Sequence, residues 1–201
     1  GDGGTREQAM GYHLFVLEFF LLCYLVGRNI GEEFPKPYVE RMERMFEFLA
    51  AFVEGGISPP MSGDSDDGYV LDLGGQGDRV RSLLAVAAVL FGRADFKALS
   101  AGSREPLFWL LGRDGCEAHR QMGAPAHHER MSSRTLPESG YYLLQAGSRG
   151  GKDSISVTFD CGDLGFGPIA AHGHADALSF TLRASGEDVL VDPGTYDYFT
   201  Y

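Results

Sequence analysis

The sequence has few cysteines. Three occur in 201 residues, at Cys23, Cys116 and Cys161. They are isolated and odd in number, so the chain has neither the disulfide framework of a small secreted domain nor a CxxC metal knuckle. The redox compartment stays open. A chain of this length can instead bury an apolar core.

Basic residues are also scarce. Lys and Arg number 17 against 28 Asp and Glu, which gives a formal net charge of -11. Nucleic-acid binders meet phosphates with clustered Lys and Arg, so this excess of carboxylates argues against a nucleic-acid partner. A polyanionic substrate remains compatible with the charge, because a cleft can be locally basic on an acidic protein.

The sequence lacks an apolar run of about 20 residues, the length that spans a bilayer. The most apolar stretch, Leu14 to Val26, contains Glu18. We therefore predict a buried helix and no transmembrane segment. No charged region followed by a cleavage site precedes it, so no signal peptide is recognised. Because the sequence opens on GDGG and stops soon after a strand, we expect a piece of a longer protein.

Apolar residues at helical spacing dominate the first half of the chain. The first predicted helix is apolar on nearly all faces, which indicates that other helices enclose it. The third has an acidic N-cap, Asp78, and a terminal glycine, Gly92. The four predicted helices cover residues 6–28, 38–53, 78–92 and 104–112.

The second half reads as strands. Short segments rich in β-branched and aromatic residues alternate with turn residues, and Ser185 with Gly186 predicts a hairpin. Helices followed by strands indicate an α+β chain with two segregated parts. We predict a helical part over 1–115, a connection over 116–135 and the start of an antiparallel β domain over 136–201.

The stretch AAHGHADALSF places His172, His174 and Asp176 two residues apart, so they share one face if the backbone is extended. The hairpin should bring Asp192 back beside them. Zinc normally takes three or four protein ligands, and imidazole with carboxylate is a suitable set. The alternative is structural: Asp192 starts the DPG turn and the histidines bond to loops. Spacing alone leaves both interpretations open.

The segment HGHADALSFTL, followed by GEDVLVDPGTYDY, resembles the heparinase II/III-like family of polysaccharide lyases. FDCGDLGFGPIAAHGHAD resembles the approach to this signature, and Asp2 to Phe19 is similar to a helical segment of the same family. The resemblance implies an incomplete α/α toroid followed by the first strands of an antiparallel β-sandwich.

The resemblance also implies a zinc site. In that family the second histidine of HxH and the aspartate of VDPG ligate zinc, which corresponds to His174 and Asp192. The first histidine, His172, lies in the catalytic cleft. The family's third ligand is a histidine further along the β domain. The given sequence does not supply it, so we expect this chain alone to hold zinc weakly. Three other histidines lie in the wrong place for it: His119, His127 and His128.

The implied reaction is β-elimination on a uronic acid-containing polysaccharide. The family's tyrosine, which acts as base or acid, matches Tyr12, and His13 beside it is the candidate substrate-binding residue. A tyrosine on an apolar helix also has a plain packing role, which is the competing interpretation. The family's upstream Asn or His, which neutralises the substrate carboxylate, has no match here. The expected partner is an acidic polysaccharide, a substrate class that suggests a periplasmic or secreted protein.

Two other functions stay open at this point. One is a carbohydrate-binding or exopolysaccharide-biosynthesis-associated module that keeps the fold without turnover. The other is a metal-dependent oxygenase, which would use His172 and His174 together as ligands.

Overall fold

The computed structural model describes residues 1–54, 59–64, 68–72, 78–100, 105–123 and 130–195. Within these residues five helices precede a five-stranded antiparallel sheet. The helices are α1 (Met10–Asn29), α2 (Lys36–Glu54), α3 (Arg79–Phe91), α4 (Ala94–Leu99) and α5 (Glu105–Gln121). The strands are β1 (Arg134–Leu136), β2 (Tyr141–Ala146), β3 (Ile155–Asp160), β4 (Phe180–Ala184) and β5 (Glu187–Leu190). The predicted α+β order is confirmed, whereas the toroid and the sandwich remain predictions.

The caps read from the sequence are present at both ends of α3. The Asp78 carboxylate accepts the Arg81 backbone N–H at 3.1 Å. Gly92 adopts a left-handed conformation with φ of 65°, which ends the helix at small steric cost. Between these caps, side chains such as Leu84 and Val86 are fully buried against α2, α4 and α5.

Three elements differ from the sequence prediction. The backbone of Gly112 in α5 is non-helical, with φ of 66° and ψ of -165°, so the predicted helix end at Gly112 is confirmed, and a second helical segment that the sequence did not predict follows the kink. Helix α4, at six residues, is too short to show helical periodicity. Strand β1 has three residues, too few for the alternation of apolar and polar residues that would predict a strand. Helices therefore reach Gln121, and strands begin at Arg134.

Within the described residues, other helices cover only one side of α1, which is less than the prediction from its all-round apolarity. One side packs on the core through Leu17 and Leu21, while Phe19 and Phe20 are 47% and 41% exposed. Over an 18-residue window its mean hydropathy is 1.7, so α1 is long and apolar enough to cross a membrane by length and composition alone. That is weak evidence, because the core helix of a soluble protein passes the same test.

One face of the sheet packs on the helices, and no element among the described residues covers the other. On the inner face, the Tyr141 ring packs against Phe52, with centroids 5.4 Å apart. On the outer face, the register aligns Leu144, Val157 and Leu182 across β2, β3 and β4. Leu144 is 52% exposed. An open apolar face is what a second sheet would cover, so it supports the sandwich prediction.

The β4–β5 hairpin is the predicted one. Ser185 and Gly186 both have positive φ, 55° and 86°, as a two-residue type I′ turn requires. Arg183 and Asp188 form an ion pair across the hairpin at 2.9 Å. The turn sends β5 back along β4 and so determines where the DPG segment lies.

An ion pair joins α1 to the N-terminus of α3. Arg79 donates to both Glu18 oxygens, at 2.7 and 2.8 Å, and the Val70 N–H donates to the same carboxylate at 3.1 Å. The Arg79 guanidinium lies 4.1 Å from the Tyr69 ring centroid. The two charged side chains are only 18% and 11% exposed.

Replacing Arg79 with Met should therefore leave a nearly buried carboxylate without its cation. Complete burial of an unpaired charge costs about 3–5 kcal/mol, and the remaining exposure reduces our expectation to about 2–3 kcal/mol of unfolding free energy in urea. Adding Glu18→Gln to the Arg79→Met variant should recover part of the lost unfolding free energy, because it removes the unpaired charge. Lys36→Met, which breaks the exposed Lys36–Glu40 pair, is the control and should cost less than about 0.5 kcal/mol. Equal losses of unfolding free energy in Arg79→Met and Lys36→Met would contradict this account.

Candidate active site

The residues His172–Asp176, called here the HGHAD turn, follow an unusual backbone path. Ala170, His172 and Leu178 have positive φ values of 48°, 64° and 61°. Residues other than Gly rarely adopt positive φ, and each one that does so costs on the order of 1 kcal/mol or more. Such conformations persist where surrounding contacts hold them. The HGHAD turn must therefore be held by contacts with other parts of the chain.

The residues Ser62–Asp64, called here the bridging loop, connect the turn to the helices. The Ser62 carbonyl accepts the Met10 N–H at 2.9 Å, at the first residue of α1. The Asp64 N–H donates to the His172 carbonyl at 2.7 Å. Three consecutive residues thus bond to α1 on one side and to the HGHAD turn on the other.

Gly63, in the middle of the bridging loop, has no room for a side chain. Its φ is 66°, and a Cβ there would lie 2.6 Å from the Ala9 Cβ and 2.7 Å from the His172 carbonyl oxygen. Its N–H donates to Asp176 Oδ2 at 2.7 Å in a buried contact. The close approach of helix and turn therefore depends on glycine at this position.

The bridging loop brings Tyr12 and His172 together. Tyr12 lies in the first turn of α1, and its ring centroid is 3.8 Å from that of His172, with the planes inclined by 34°. Both side chains are half-buried and reach solvent. The two residues singled out by the family resemblance as catalytic, from opposite ends of the chain, thus form one contact pair.

His174 and Asp192 also converge. His174 Nε2 lies 3.1 and 3.2 Å from the two Asp192 carboxylate oxygens. Two ligand atoms at about 2.0–2.2 Å from a common zinc are separated by about this distance, so the pair fits a metal. With Asp176, the three side chains offer ligand atoms within 4.8 Å of one another. Asp192 Oδ1 also accepts the Gly194 N–H at 2.8 Å, as the structural interpretation of the DPG turn requires.

The region around His174 is strongly acidic. Burial raises the pKa of Asp160, and the charges of Asp176 and Asp192 act in the same direction. Partial burial acts to lower the pKa of His174, but a backbone hydrogen bond with Gly63 and the charges of Asp176 and Asp192 outweigh it and raise this pKa. Burial, followed by the charge of Asp160, raises the pKa of Tyr141. This is an environment that favours a cation.

His13 is buried in the core and not exposed beside Tyr12, against the expectation for a substrate-binding residue. It is 1% exposed, its Nε2–H donates to the Met45 carbonyl at 3.2 Å, and its ring packs on Phe48 with centroids 4.7 Å apart. Burial lowers its pKa to about 4. Adjacent residues on a helix point in different directions, so Tyr12 contacts His172 while His13 faces the core. We therefore omit His13 from the residues proposed to contact substrate.

Sequence reasoning missed most of the residues that support this site. The roles of Ser62 and Gly63 depend on backbone atoms, which residue type does not reveal. Asp160 and Tyr141 looked like ordinary strand residues. Of the other histidines, His119 lies on α5 beside Ser100 Oγ at 3.1 Å, and His127 and His128 fall outside the described residues.

Comparisons with known proteins agree with the resemblance predicted from the sequence. Residues 129–200 match the family model described as heparinase II/III-like, C-terminal. No curated protein sequence matches the chain. These findings, with the structural likenesses that follow, confirm the expected resemblance.

Two solved structures share the fold over the whole of this chain. One is a mutant of the heparan sulfate lyase HepC from Pedobacter heparinus, with 22% identity and a TM-score of 0.68. The other is a heparinase III with methylated lysines, with 20% identity and a TM-score of 0.69. The chain spans 27% and 26% of their respective lengths.

The burial of His13 makes stability depend on pH. Its pKa is about 4 when folded and about 6.5 when unfolded, so its contribution is complete above pH 6.5 and is lost as pH falls towards 4. Over that interval the free energy of unfolding of the wild type should fall by about 3 kcal/mol more than that of His13→Phe. Urea unfolding across pH measures this difference, and parallel curves for the two proteins would refute it.

Gly63→Ala should destabilise the protein more than Gly92→Ala. Both glycines have left-handed φ, but a Cβ at Gly92 meets nothing within 4 Å, so this variant reports the backbone cost alone. Overpacking typically costs about 1–3 kcal/mol, and this is the excess loss of unfolding free energy expected for Gly63→Ala. If the two variants unfold at the same urea concentration, the close approach at Gly63 is not a constraint.

Proposed function

We propose that the full-length protein carrying this chain is a polysaccharide lyase, on the premise that residues 129–200 match the heparinase II/III-like, C-terminal family model. Its substrate would be a uronic acid-containing polysaccharide, cleaved by β-elimination. The observation that carries the proposal is the contact of Tyr12 with His172, at 3.8 Å between ring centroids. The names of the two solved structures with this fold, a heparan sulfate lyase and a heparinase, support the same reaction class.

β-Elimination needs proton transfer at two positions of the substrate. A base removes the proton at C5, next to the uronate carboxylate, the C4–O bond breaks, and a C4–C5 double bond forms. An acid returns a proton to the departing glycosidic oxygen. The Tyr12 hydroxyl would exchange these protons. A tyrosine ordinarily has a pKa of about 10, so hydrogen bonding or a cation in the bound complex would assist the exchange. His172, in contact with the Tyr12 ring, would assist at the same point.

The metal pair has a supporting role in this proposal. His174 and Asp192 would hold a zinc ion, whose charge offsets the surrounding carboxylates and whose bonds tie the HGHAD turn to the segment after β5. No proton transfer is assigned to the metal. The third family ligand has no counterpart here, whereas Asp176 stands close to His174.

The alternatives differ in what the structure offers them. The oxygenase needs His172 and His174 on one metal, but the metal-capable group found in the described residues contains His174, Asp176 and Asp192 and not His172. A carbohydrate-binding module would keep every contact described above, so turnover alone separates it from the lyase.

A polysaccharide substrate also suggests a periplasmic or secreted location.

Tyr12→Phe in the full-length protein tests the catalytic assignment. The change deletes only a hydroxyl, so folding and polysaccharide binding should be retained while turnover falls by about 10²–10⁴-fold, the usual contribution of general acid–base catalysis. The measurement is ultraviolet absorbance of the unsaturated uronate product on several uronic acid polymers. Tyr24→Phe, on the same helix, is the matched control and should keep wild-type turnover, because Tyr24 packs against Phe34.

Unchanged turnover in Tyr12→Phe would return this residue to a packing role. A wild-type protein that binds uronate polymers and yields no unsaturated product would favour the binding module instead.

A further inference from the structure

The Asp176 carboxylate lies between two partners from different parts of the chain. Oδ2 accepts the Gly63 N–H of the bridging loop at 2.7 Å and lies 3.6 Å from His174 Nδ1. The residue is only 6% exposed. A carboxylate this buried needs compensating partners, and these two are the ones that face Oδ2.

The two nitrogens of the His174 ring face different carboxylates. Nε2 points to Asp192, and Nδ1 points to Asp176. Nδ1 is buried, and no hydrogen bond of ordinary geometry reaches it within the described residues, although the Gly63 backbone lies close to the His174 ring. If Nε2 binds a metal, Nδ1 must carry the ring proton and needs an acceptor. A movement of roughly half an ångström would bring Asp176 Oδ2 into hydrogen-bond range.

We propose that Asp176 is a positioning residue for the metal centre and not one of its ligands. Asp176 holds the His174 ring through Nδ1, and the Gly63 N–H holds Asp176. This inference rests on the proposed function, since it assigns a role within the same site. Carboxylates that orient a ligating imidazole in this way typically change metal affinity or activity by about 10–100-fold.

The bridging loop makes this role more than local. Its Gly63 N–H binds Asp176, and the next N–H, from Asp64, binds the His172 carbonyl. Two consecutive backbone N–H groups of one loop therefore position the two histidines. The Gly63 N–H acts on His174 through Asp176, and the Asp64 N–H acts on His172 beside Tyr12. Metal binding should tighten the same contacts that place His172.

The test is zinc affinity of the full-length protein, measured by competition with a chromophoric chelator. Asp176→Asn keeps an oxygen for Gly63 but removes the charge facing Nδ1, and we expect about tenfold weaker binding. Asp176→Ala removes both interactions, and we expect about a hundredfold weaker binding, the two values spanning the range for orienting carboxylates. Asp163→Asn, an exposed aspartate in the same part of the chain, is the control and should bind like wild type.

Cobalt substitution separates positioning from ligation. A positioning residue leaves the ligand set unchanged, so the visible spectrum of the cobalt form should be the same in Asp176→Asn and wild type at saturation. Asp192→Asn, which removes a proposed ligand, should change this spectrum and lose most affinity. Melting temperatures without metal identify any variant whose folding has failed, and Asp176→Asn should melt within a few degrees of wild type.

Wild-type zinc affinity in both Asp176 variants would overturn the inference. So would a cobalt spectrum altered in Asp176→Asn as it is in Asp192→Asn, because Asp176 would then be a ligand. Absence of zinc binding in the wild type would remove the inference together with the metal part of the proposed function. The expected series of affinities in a protein without lyase activity would support the role of Asp176 and reject the lyase.

Discussion

The buried hydrogen bond from the Gly63 N–H to Asp176 joins the helical part of this chain to the β part at the candidate site. Buried backbone donors must be paired, and here the partner is a side chain from the far half of the sequence. The neighbouring bonds from Ser62 and Asp64 extend the junction to α1 and to His172. The contact of Tyr12 with His172 is a consequence of that junction, since each residue sits on a different side of it.

The junction also explains why an unfavourable backbone is tolerated. His172 has positive φ, and the carbonyl exposed by this conformation accepts the Asp64 N–H at 2.7 Å. Strain of this kind survives only where other contacts determine the structure. The HGHAD turn is therefore held in place before any substrate or metal arrives, which would limit the reorganisation needed for the proposed proton transfer.

The parts of the structure that local chemistry decides were predictable. The Asp78 and Gly92 caps and the Ser185–Gly186 hairpin depend on residues close in sequence, and the hairpin is what returns Asp192 to His174. The pairing of Tyr12 with His172 came from the family resemblance and not from spacing, because nothing local relates two residues so distant in the chain.

Other features could not be read from the pattern. Helix α4 is shorter than two helical turns, and the bridging loop acts through backbone atoms that carry no residue-type signal. The direction of His13 depended on which side of α1 the core lies, and an all-round apolar helix does not reveal this. Its open side, with Phe19 exposed, shows how little the composition of α1 constrained its packing.

The central claim is that the Tyr12–His172 pair serves an elimination and not a hydrolysis. Cleavage of a uronic acid polymer by the full-length protein in ¹⁸O-labelled water, followed by mass spectrometry of the fragments, tests this most directly. Elimination adds no water, so the account predicts two fragments whose masses sum to that of the intact chain, one of them carrying a C4–C5 double bond, with ¹⁸O entering reducing ends only at the exchange rate of a preformed reducing oligosaccharide. Fragments that together gain one H₂¹⁸O per bond broken at the moment of cleavage, and that carry no double bond, would mean that water attacks the substrate, and they would contradict the account.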